Sequence, residues 1–296
     1  MRRTVGAHLE CDVVSPIDLV LSVAAASGPR VVEESLVVTL DGVPVAIDEI
    51  PEDHGTRLHV AEGVAAGRLV VDYSASLESL APVAATRPAD LVRYRRPSRY
   101  CESDRLAAVA RSEFVGLAGH DLLAGVSSWV GTRLGYVAGS SRPIDGAVAT
   151  LLARQGVCRD FAHLVIAFLR ACDVPARLVS VYAPGLSPMD FHAVVEAWVD
   201  GQWNVVDATC LAPRQAMVRI ATGRDARSGA QRNDVGAVMS IPSTQGGGSA
   251  ARAAGTSSGR PPPDNTLSTM ARHVPAVMAA GRPSTIDALN RAGRTR

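Results

Sequence analysis

The sequence predicts an α+β fold in which a β-rich N-terminal domain precedes a domain built from helices followed by strands. Over residues 1–95, short stretches rich in Val and Leu alternate with turn signals such as Asp41-Gly42. Beyond residue 98 apolar residues recur at helical spacing, and after Pro175 the pattern returns to short apolar strands.

Individual elements follow from the same patterns. The N-terminal strands form a small antiparallel sandwich or barrel and are expected at 31–40, 58–60 and 68–75. Helices are expected over 120–134, over 146–153 with Asp145 as its N-cap, and from Cys158 to Ala171. The strands that follow are expected at 176–183, 192–199, 202–207 and 217–220.

The C-terminal segment differs in composition from the rest of the chain. Residues 242–265 are rich in Gly, Ser, Ala and Pro, so they cannot bury enough apolar surface to offset the entropy lost on ordering. The expected organisation is a β-rich domain over 1–95, a mixed helix and strand domain over 96–241, and a low-complexity, largely disordered tail over 242–296. The pattern leaves open whether residues 226–241 complete the sheet.

Composition excludes several classes of partner and cofactor. The net charge is +1 without a basic stripe, so nucleic-acid binding is not indicated. No apolar run approaches the roughly 18 residues of a membrane helix, and charged residues interrupt any signal-peptide core, so no membrane contact and a cytoplasmic location are expected. The cysteines lack a CxxC pattern, which indicates free thiols and neither a metal site nor another cofactor: Cys11, Cys101, Cys158, Cys172 and Cys210. All 30 basic residues are Arg, so no side-chain amine of the chain can accept an acyl group.

Cys158 lies where a nucleophile is expected. Gly156 ends the preceding helix and a new apolar-periodic helix begins at the cysteine, which places the sulfur at a helix N-terminus. The helix dipole and the unpaired backbone N–H groups there favour a thiolate, the form that attacks carbonyl carbons. A lone cysteine is more often a buried structural residue, so the interpretation depends on partners elsewhere in the chain.

A predicted hairpin supplies those partners. Asp200-Gly201 is a strong two-residue turn, and with it Trp198 pairs with Trp203. In this register His192 and Asp207 become diagonal neighbours on one face, with Cα atoms roughly 7–8 Å apart. The carboxylate can then fix the tautomer of the imidazole and orient the other ring nitrogen toward the sulfur, which makes Cys158, His192 and Asp207 a candidate catalytic triad.

Other polar residues near these positions are expected to have structural roles. His163 lies five residues after the cysteine, about 140° around the helix, and is expected to point away from the site. Asp160 is expected to stabilise the helix N-terminus, and Glu196 to be solvated or ion-paired. Tyr136 can donate a hydrogen bond to an oxyanion, but surface packing is its expected role.

Three segments resemble the signature blocks of bacterial transglutaminase-like proteins: 156–163 (GVCRDFAH), 190–193 (DFHA) and 207–209 (DAT). The resemblance covers about 1–225 and is most specific over 142–225. It implies a papain-like core, in which a helix carrying the cysteine packs on an antiparallel sheet that carries the histidine and the aspartate. The superfamily includes protein cross-linkers, peptidases and amidases.

The expected function is therefore attack by Cys158 on an amide or ester carbonyl of a peptide or protein, through a thioester. His192 would deprotonate the thiol and protonate the leaving amine, and Asp207 would orient His192. Water as acceptor gives hydrolysis and an amine gives transfer. The alternative is a non-catalytic module that keeps the fold and binds peptides, and the sequence leaves the oligomeric state open.

Overall fold

The computed structural model describes residues 2–78, 86–226, 267–272 and 277–278. The N-terminal part contains β1 (Arg2–Val13), β2 (Ile17–Leu21), β3 (Arg30–Leu40), β4 (Val43–Pro44), β5 (Asp48–Pro51), β6 (Arg57–Val64) and β7 (Gly67–Glu78). The helices are α1 (Pro88–Arg93), α2 (Ala107–Glu113), α3 (Gly119–Arg133), α4 (Ala147–Ala153) and α5 (Cys158–Ala171). The remaining strands are β8 (Gly135–Tyr136), β9 (Gln155–Gly156), β10 (Ala176–Tyr182), β11 (Phe191–Val199), β12 (Gln202–Val206), β13 (Val218–Gly223), β14 (Leu267–Arg272) and β15 (Val277–Met278).

The N-terminal strands form two sheets, in the orders β14-β1-β7-β3-β4 and β2-β6-β5, and β15 also pairs with β1. Strand β1, which the sequence prediction missed, has buried Leu9, Cys11 and Val13 alternating with more exposed polar residues. This period of two is the pattern of a strand with one face in the core. His8, Glu10 and Asp12, three of the charged or polar residues that interrupt the N-terminal apolar stretch, are outward side chains of this strand.

The second domain packs helices on a four-stranded antiparallel sheet in the order β12-β11-β10-β13. Helix α5 is buried almost throughout and forms a core with α2, α3, α4 and one face of β11. The α+β class with a β-rich N-terminal region is confirmed. The predicted helices at 120–134 and 158–171 and the predicted strands after residue 175 are present, with ends that shift by up to three residues.

A second core joins the two halves of the chain. The inner face of β1, β2 and β7 packs against Tyr182, Phe191 and Ile220 of the four-stranded sheet. The Tyr182 hydroxyl donates to the carbonyl of Val23 at 2.6 Å, and the Ala26 N–H donates to the carbonyl of Arg219 at 2.8 Å. The N-terminal sheets therefore support the strand that begins at Phe191.

The start of α4 and the C-terminal segment add two details to the fold. Asp145 as the N-cap of α4 is wrong: Gly146 occupies that position, and the Asp145 carboxylate instead accepts from the backbone N–H of Arg142 at 2.9 Å. In the segment 242–296, two short strands pair in parallel with β1, Leu267–Arg272 and Val277–Met278. The predictions for 227–241 and 242–265, and the tail's character beyond these strands, lie outside the described residues. Among residues 2–78 and 86–226, none of the helices combines the length and hydrophobicity that a bilayer crossing requires.

Candidate active site

Cys158 is the first residue of α5 and is 4% exposed. The short strand β9 precedes it, and the Asp160 carboxylate accepts from the backbone N–H of Val157 at 2.9 Å, which stabilises the first turn as predicted. A Cβ at Gly156 would lie 2.7 Å from the Cβ of Asp160, so only glycine permits this close approach. The local sequence thus holds the thiol at the helix N-terminus.

The predicted hairpin register is confirmed. Trp198 pairs with Trp203 and Val199 with Gln202, and the indole rings pack with centroids 5.4 Å apart. Asp200 and Gly201 both have positive φ, 52° and 77°, as a two-residue hairpin turn requires. Because the turn fixes the register, every side chain on β11 and β12 is assigned to a face by the sequence.

His192 and Asp207 form a buried hydrogen-bonded pair. Nε2 of His192 lies 3.0 Å from Oδ2 of Asp207, and the two residues are 0% and 2% exposed. Thr209 donates to the other carboxylate oxygen from its backbone N–H at 2.9 Å and from its hydroxyl at 2.7 Å. Burial acts to raise the pKa of Asp207, but the hydrogen bonds from His192 and Thr209 hold it below its usual value.

The other ring nitrogen of His192 is available to the thiol. Nδ1 is buried and has no partner of good hydrogen-bond geometry among the described residues. Burial lowers the pKa of His192, but its hydrogen bond with Asp207 and the nearby Cys158 sulfur outweigh the effect of burial and raise the pKa to about 10. The ring is therefore positively charged at neutral pH, and this charge lies beside the Cys158 sulfur.

Tyr136 lies at the same sulfur, on the two-residue strand β8 that pairs with β9. Burial raises the pKa of Tyr136 and so does the thiol of Cys158, whereas a hydrogen bond from the backbone N–H of Cys158 lowers it. The ring also packs against Phe161, with centroids 5.9 Å apart. Packing was the expected role of Tyr136, and the contact with the backbone N–H of Cys158 adds a second.

His163 lies apart from these groups, as predicted. Its Nε2 accepts from the backbone N–H of Ala226 at 3.2 Å, and its ring stacks on Tyr100 at 5.5 Å. Burial lowers its pKa to about 3, so the ring is neutral and structural. Glu196 is ion-paired rather than solvated, since it accepts from Arg177 at 2.7 Å and also from Arg219.

Thr209 contacts Asp207 and His192, which the sequence did not predict. Its hydroxyl also approaches Nε2 of His192, at 3.4 Å. The available signal was the Asp-x-Thr spacing, because an aspartate commonly accepts from the backbone N–H two residues later. Within the described part of the chain, His, Cys, Asp and Glu side chains do not gather in groups of three that could hold a metal ion.

The pH dependence of stability should report on His192. The protonated ring stabilises the fold fully below its ordinary pKa of 6.5, and this contribution is lost as pH rises through the folded-state pKa of about 10. We expect the difference in free energy of unfolding between wild type and His192→Gln to shrink over this interval, measured by urea unfolding at about pH 6, 8 and 10. A difference that stayed constant would contradict the imidazolium assignment.

Comparison with known sequences identifies relatives. A family model described as the transglutaminase-like superfamily matches residues 120–208. An uncharacterised protein of Mycobacterium leprae is 27% identical over 143 residues, which are 44% of this chain and 50% of that relative. An uncharacterised Mycobacterium tuberculosis protein is 39% identical over 83 residues, 26% of each. The chain therefore spans about half of the first relative and about a quarter of the second.

Comparison with solved structures extends over most of the chain. A crystal structure from Cytophaga hutchinsonii, described as a candidate cysteine protease, is 30% identical with a TM-score of 0.71. The match covers 83% of this chain and 92% of that one. Together the matches support a cysteine-dependent catalytic function at a general level. The family match spans all three candidate residues and the structural relative is covered almost completely, so the chain belongs to the transglutaminase-like superfamily.

Proposed function

We propose that Cys158 takes up an acyl group from an amide or ester carbonyl of a peptide or protein and passes it, through a thioester, to water or to an amine. The observation that carries the proposal is the pairing of His192 with Asp207 through Nε2, which leaves Nδ1 for the sulfur at the start of α5. Nucleophile, base and orienting group in mutual reach are the requirement for covalent acyl transfer.

The first step is attack of the Cys158 thiolate on the carbonyl carbon. A C–S bond forms, and the carbonyl π electrons move to oxygen to give an oxyanion. The backbone N–H of Cys158 and the Tyr136 hydroxyl lie together beside the sulfur, so both can donate to that oxyanion. Substrate would replace the N–H to hydroxyl contact seen in the free protein.

The second step is collapse of the tetrahedral intermediate. The C–N bond breaks while the His192 imidazolium gives its Nδ1 proton to the leaving nitrogen, which leaves a thioester and a neutral ring. Water or an amine then attacks the thioester, His192 removes the proton of that nucleophile, and the thiolate departs. The Asp207 carboxylate stabilises the imidazolium at the start and end of this cycle.

Replacement of Tyr136 by phenylalanine should slow acylation of Cys158. Loss of one oxyanion donor typically costs about 10²–10³ in rate, and the phenylalanine ring keeps the packing on Phe161. The burst of p-nitrophenol released by p-nitrophenyl acetate measures the acylation rate. An unchanged burst rate in the Tyr136→Phe variant would remove the hydroxyl from the mechanism.

Selective alkylation tests the proposed function directly. We expect iodoacetamide at neutral pH to modify Cys158 before the other thiols, because only Cys158 has a helix N-terminus and an imidazolium beside it. Burial raises the pKa of Cys11 to about 11 and that of Cys101 to about 12, so these thiols should be inert. Cys210, which is exposed, is the internal comparison.

The labelling experiment also has a matched control. Peptide mapping of wild type and His192→Gln after brief labelling gives the rate at each cysteine, and only the rate at Cys158 should fall in the variant. Equal labelling of Cys158 and Cys210 in wild type would favour the alternative, a non-catalytic peptide-binding module.

A further inference from the structure

We propose that the groove between α3 and β12 binds an extended peptide on the leaving-group side of the reacting carbonyl, with a carboxylate of that peptide at Arg214. This inference rests on the proposed function and assigns it a substrate subsite. The groove has a volume of about 730 Å³. Ala124 and Ser128 lie four residues apart along the wall formed by α3, and their small side chains leave the space open. Gly131 closes this wall at one end, because a Cβ there would lie 2.6 Å from the carbonyl oxygen of Ala208.

The opposite wall of the groove is an unpaired strand edge. Strand β12 is the outer strand of its sheet and, in the described part of the chain, pairs only with β11. In the hairpin register, Val199 and Gln202 form the hydrogen-bonded pair next to the turn, so Glu196 and Val205 form a non-hydrogen-bonded pair. The backbone N–H and C=O of Val205 consequently point away from β11 and into the groove.

An independent contact confirms this alternation of the backbone groups. The N–H of Trp198 donates to the carbonyl of Pro175 at 2.8 Å, on the side of β11 that faces β10. Glu196, two residues earlier, faces the same way, so Val205 opposite it has no donor or acceptor on β11. An extended peptide supplies one C=O and one N–H at the spacing that an exposed strand edge requires.

The groove begins at the reaction centre. Thr209 lines the end of the groove that lies nearest Asp207. The Thr209 hydroxyl contacts both Oδ1 of Asp207 and Nε2 of His192. Nε2 faces Asp207 and Thr209, which leaves Nδ1 for the sulfur, so the groove borders the Nε2 side of the imidazole. Because His192 would protonate the leaving nitrogen, the chain attached to that nitrogen lies on the His192 side of the carbonyl, and we place it in the groove that Thr209 borders.

Charge selects the kind of peptide. Arg214, an exposed residue, lines the same end of the groove as Thr209 and donates to the carbonyl of Asp207 at 3.3 Å. His120 at the other end lies 3.3 Å from the Asp200 carboxylate, which offsets any positive charge there. The guanidinium of Arg214 has five N–H donors in a fork that matches a carboxylate, so an acidic peptide is favoured over a basic one.

Protection of Cys210 provides a test that does not need catalysis. Cys210 is exposed and lines the groove, so a bound peptide should shield its thiol from iodoacetamide. The probe is a pool of alanine pentapeptides with one glutamate at each position, with a matching glutamine pool, and the protein is Cys158→Ala. At about 1 mM, a peptide of Kd about 0.3 mM should slow alkylation about fourfold, because the rate falls by 1 + [L]/Kd.

The variants separate the two contributions to binding. Ser128→Trp should abolish protection by filling the groove, and Ser128→Ala should keep it. Arg214→Gln should remove the advantage of the glutamate pool over the glutamine pool, and Arg214→Lys should restore part of it. Equal alkylation of Cys210 with and without either pool would overturn the inference. The p-nitrophenol burst of wild-type protein reports separately on the proposed function, so the two failures are distinguishable.

Discussion

Replacement of Asp207 by asparagine should lower the rate of Cys158 acylation about 10⁴-fold. The carboxylate accepts from Nε2 of His192 at 3.0 Å and helps to raise the pKa of that ring to about 10. Asparagine has a similar shape but no charge. Its NH₂ group can donate to Nε2, which leaves the ring proton on Nδ1, so that Nδ1 cannot act as a base. The measurement is the p-nitrophenol burst rate across pH, with the pH profile of Cys158 alkylation as a second readout.

The control for Asp207→Asn is Thr209→Val. The valine removes the hydroxyl that donates to Asp207 at 2.7 Å but leaves the carboxylate and the backbone N–H bond in place. We expect a smaller loss of rate, since the charge beside His192 is retained. An Asp207→Asn variant as active as Thr209→Val would show that the carboxylate does not act on the reaction through His192.

Replacement of Glu196 by alanine should destabilise the fold by about 3–5 kcal/mol, because it leaves a buried charge without its partner. Arg177, 1% exposed, donates to Glu196 from Nε at 2.8 Å and from Nη2 at 2.7 Å. Its guanidinium also lies 3.9 Å from the ring centroid of Trp203. The free energy of unfolding in urea measures the loss.

A surface ion pair provides the matched control. Glu49 is 43% exposed and binds Arg57 at 2.7 Å, and Arg57 keeps Glu34 as a second partner. Glu49→Ala should therefore cost less than about 1 kcal/mol. A loss under about 1 kcal/mol for Glu196→Ala would mean that water or another partner compensates the Arg177 charge in the variant. The buried ion pair would then not be needed to stabilise β11.

The parts of the site that could be predicted depend on local signals. Asp200-Gly201 fixes the hairpin register, and strand alternation then brings His192 and Asp207 together without knowledge of the rest of the fold. The glycine at 156 followed by an apolar period of 3.6 similarly places Cys158 at a helix start. Each inference spans fewer than about twenty residues, the range over which sequence patterns are informative.

The parts that could not be predicted depend on contacts between distant segments. Tyr136 reaches Cys158 because β8 pairs in parallel with β9, and strands of two residues leave no periodic signal. Arg177 contacts Glu196 across β10 and β11 and also His54, 123 residues away in the chain. Strand β1 does carry a local signal, because its second half alternates between buried and exposed residues.

The core that joins the N-terminal sheets to the four-stranded sheet limits which substitutions and recombinations the protein can tolerate during evolution. Phe191 lies in that core and is the residue before His192, so we expect a substitution that disturbs the inner face of β1 or β7 to shift the imidazole through packing. The two halves are thus a single heritable unit. Recombination that exchanged residues 1–95 for an unrelated β domain would bring an incompatible surface against Phe191. Only a β domain whose inner face matches Phe191 would leave the position of His192 unchanged.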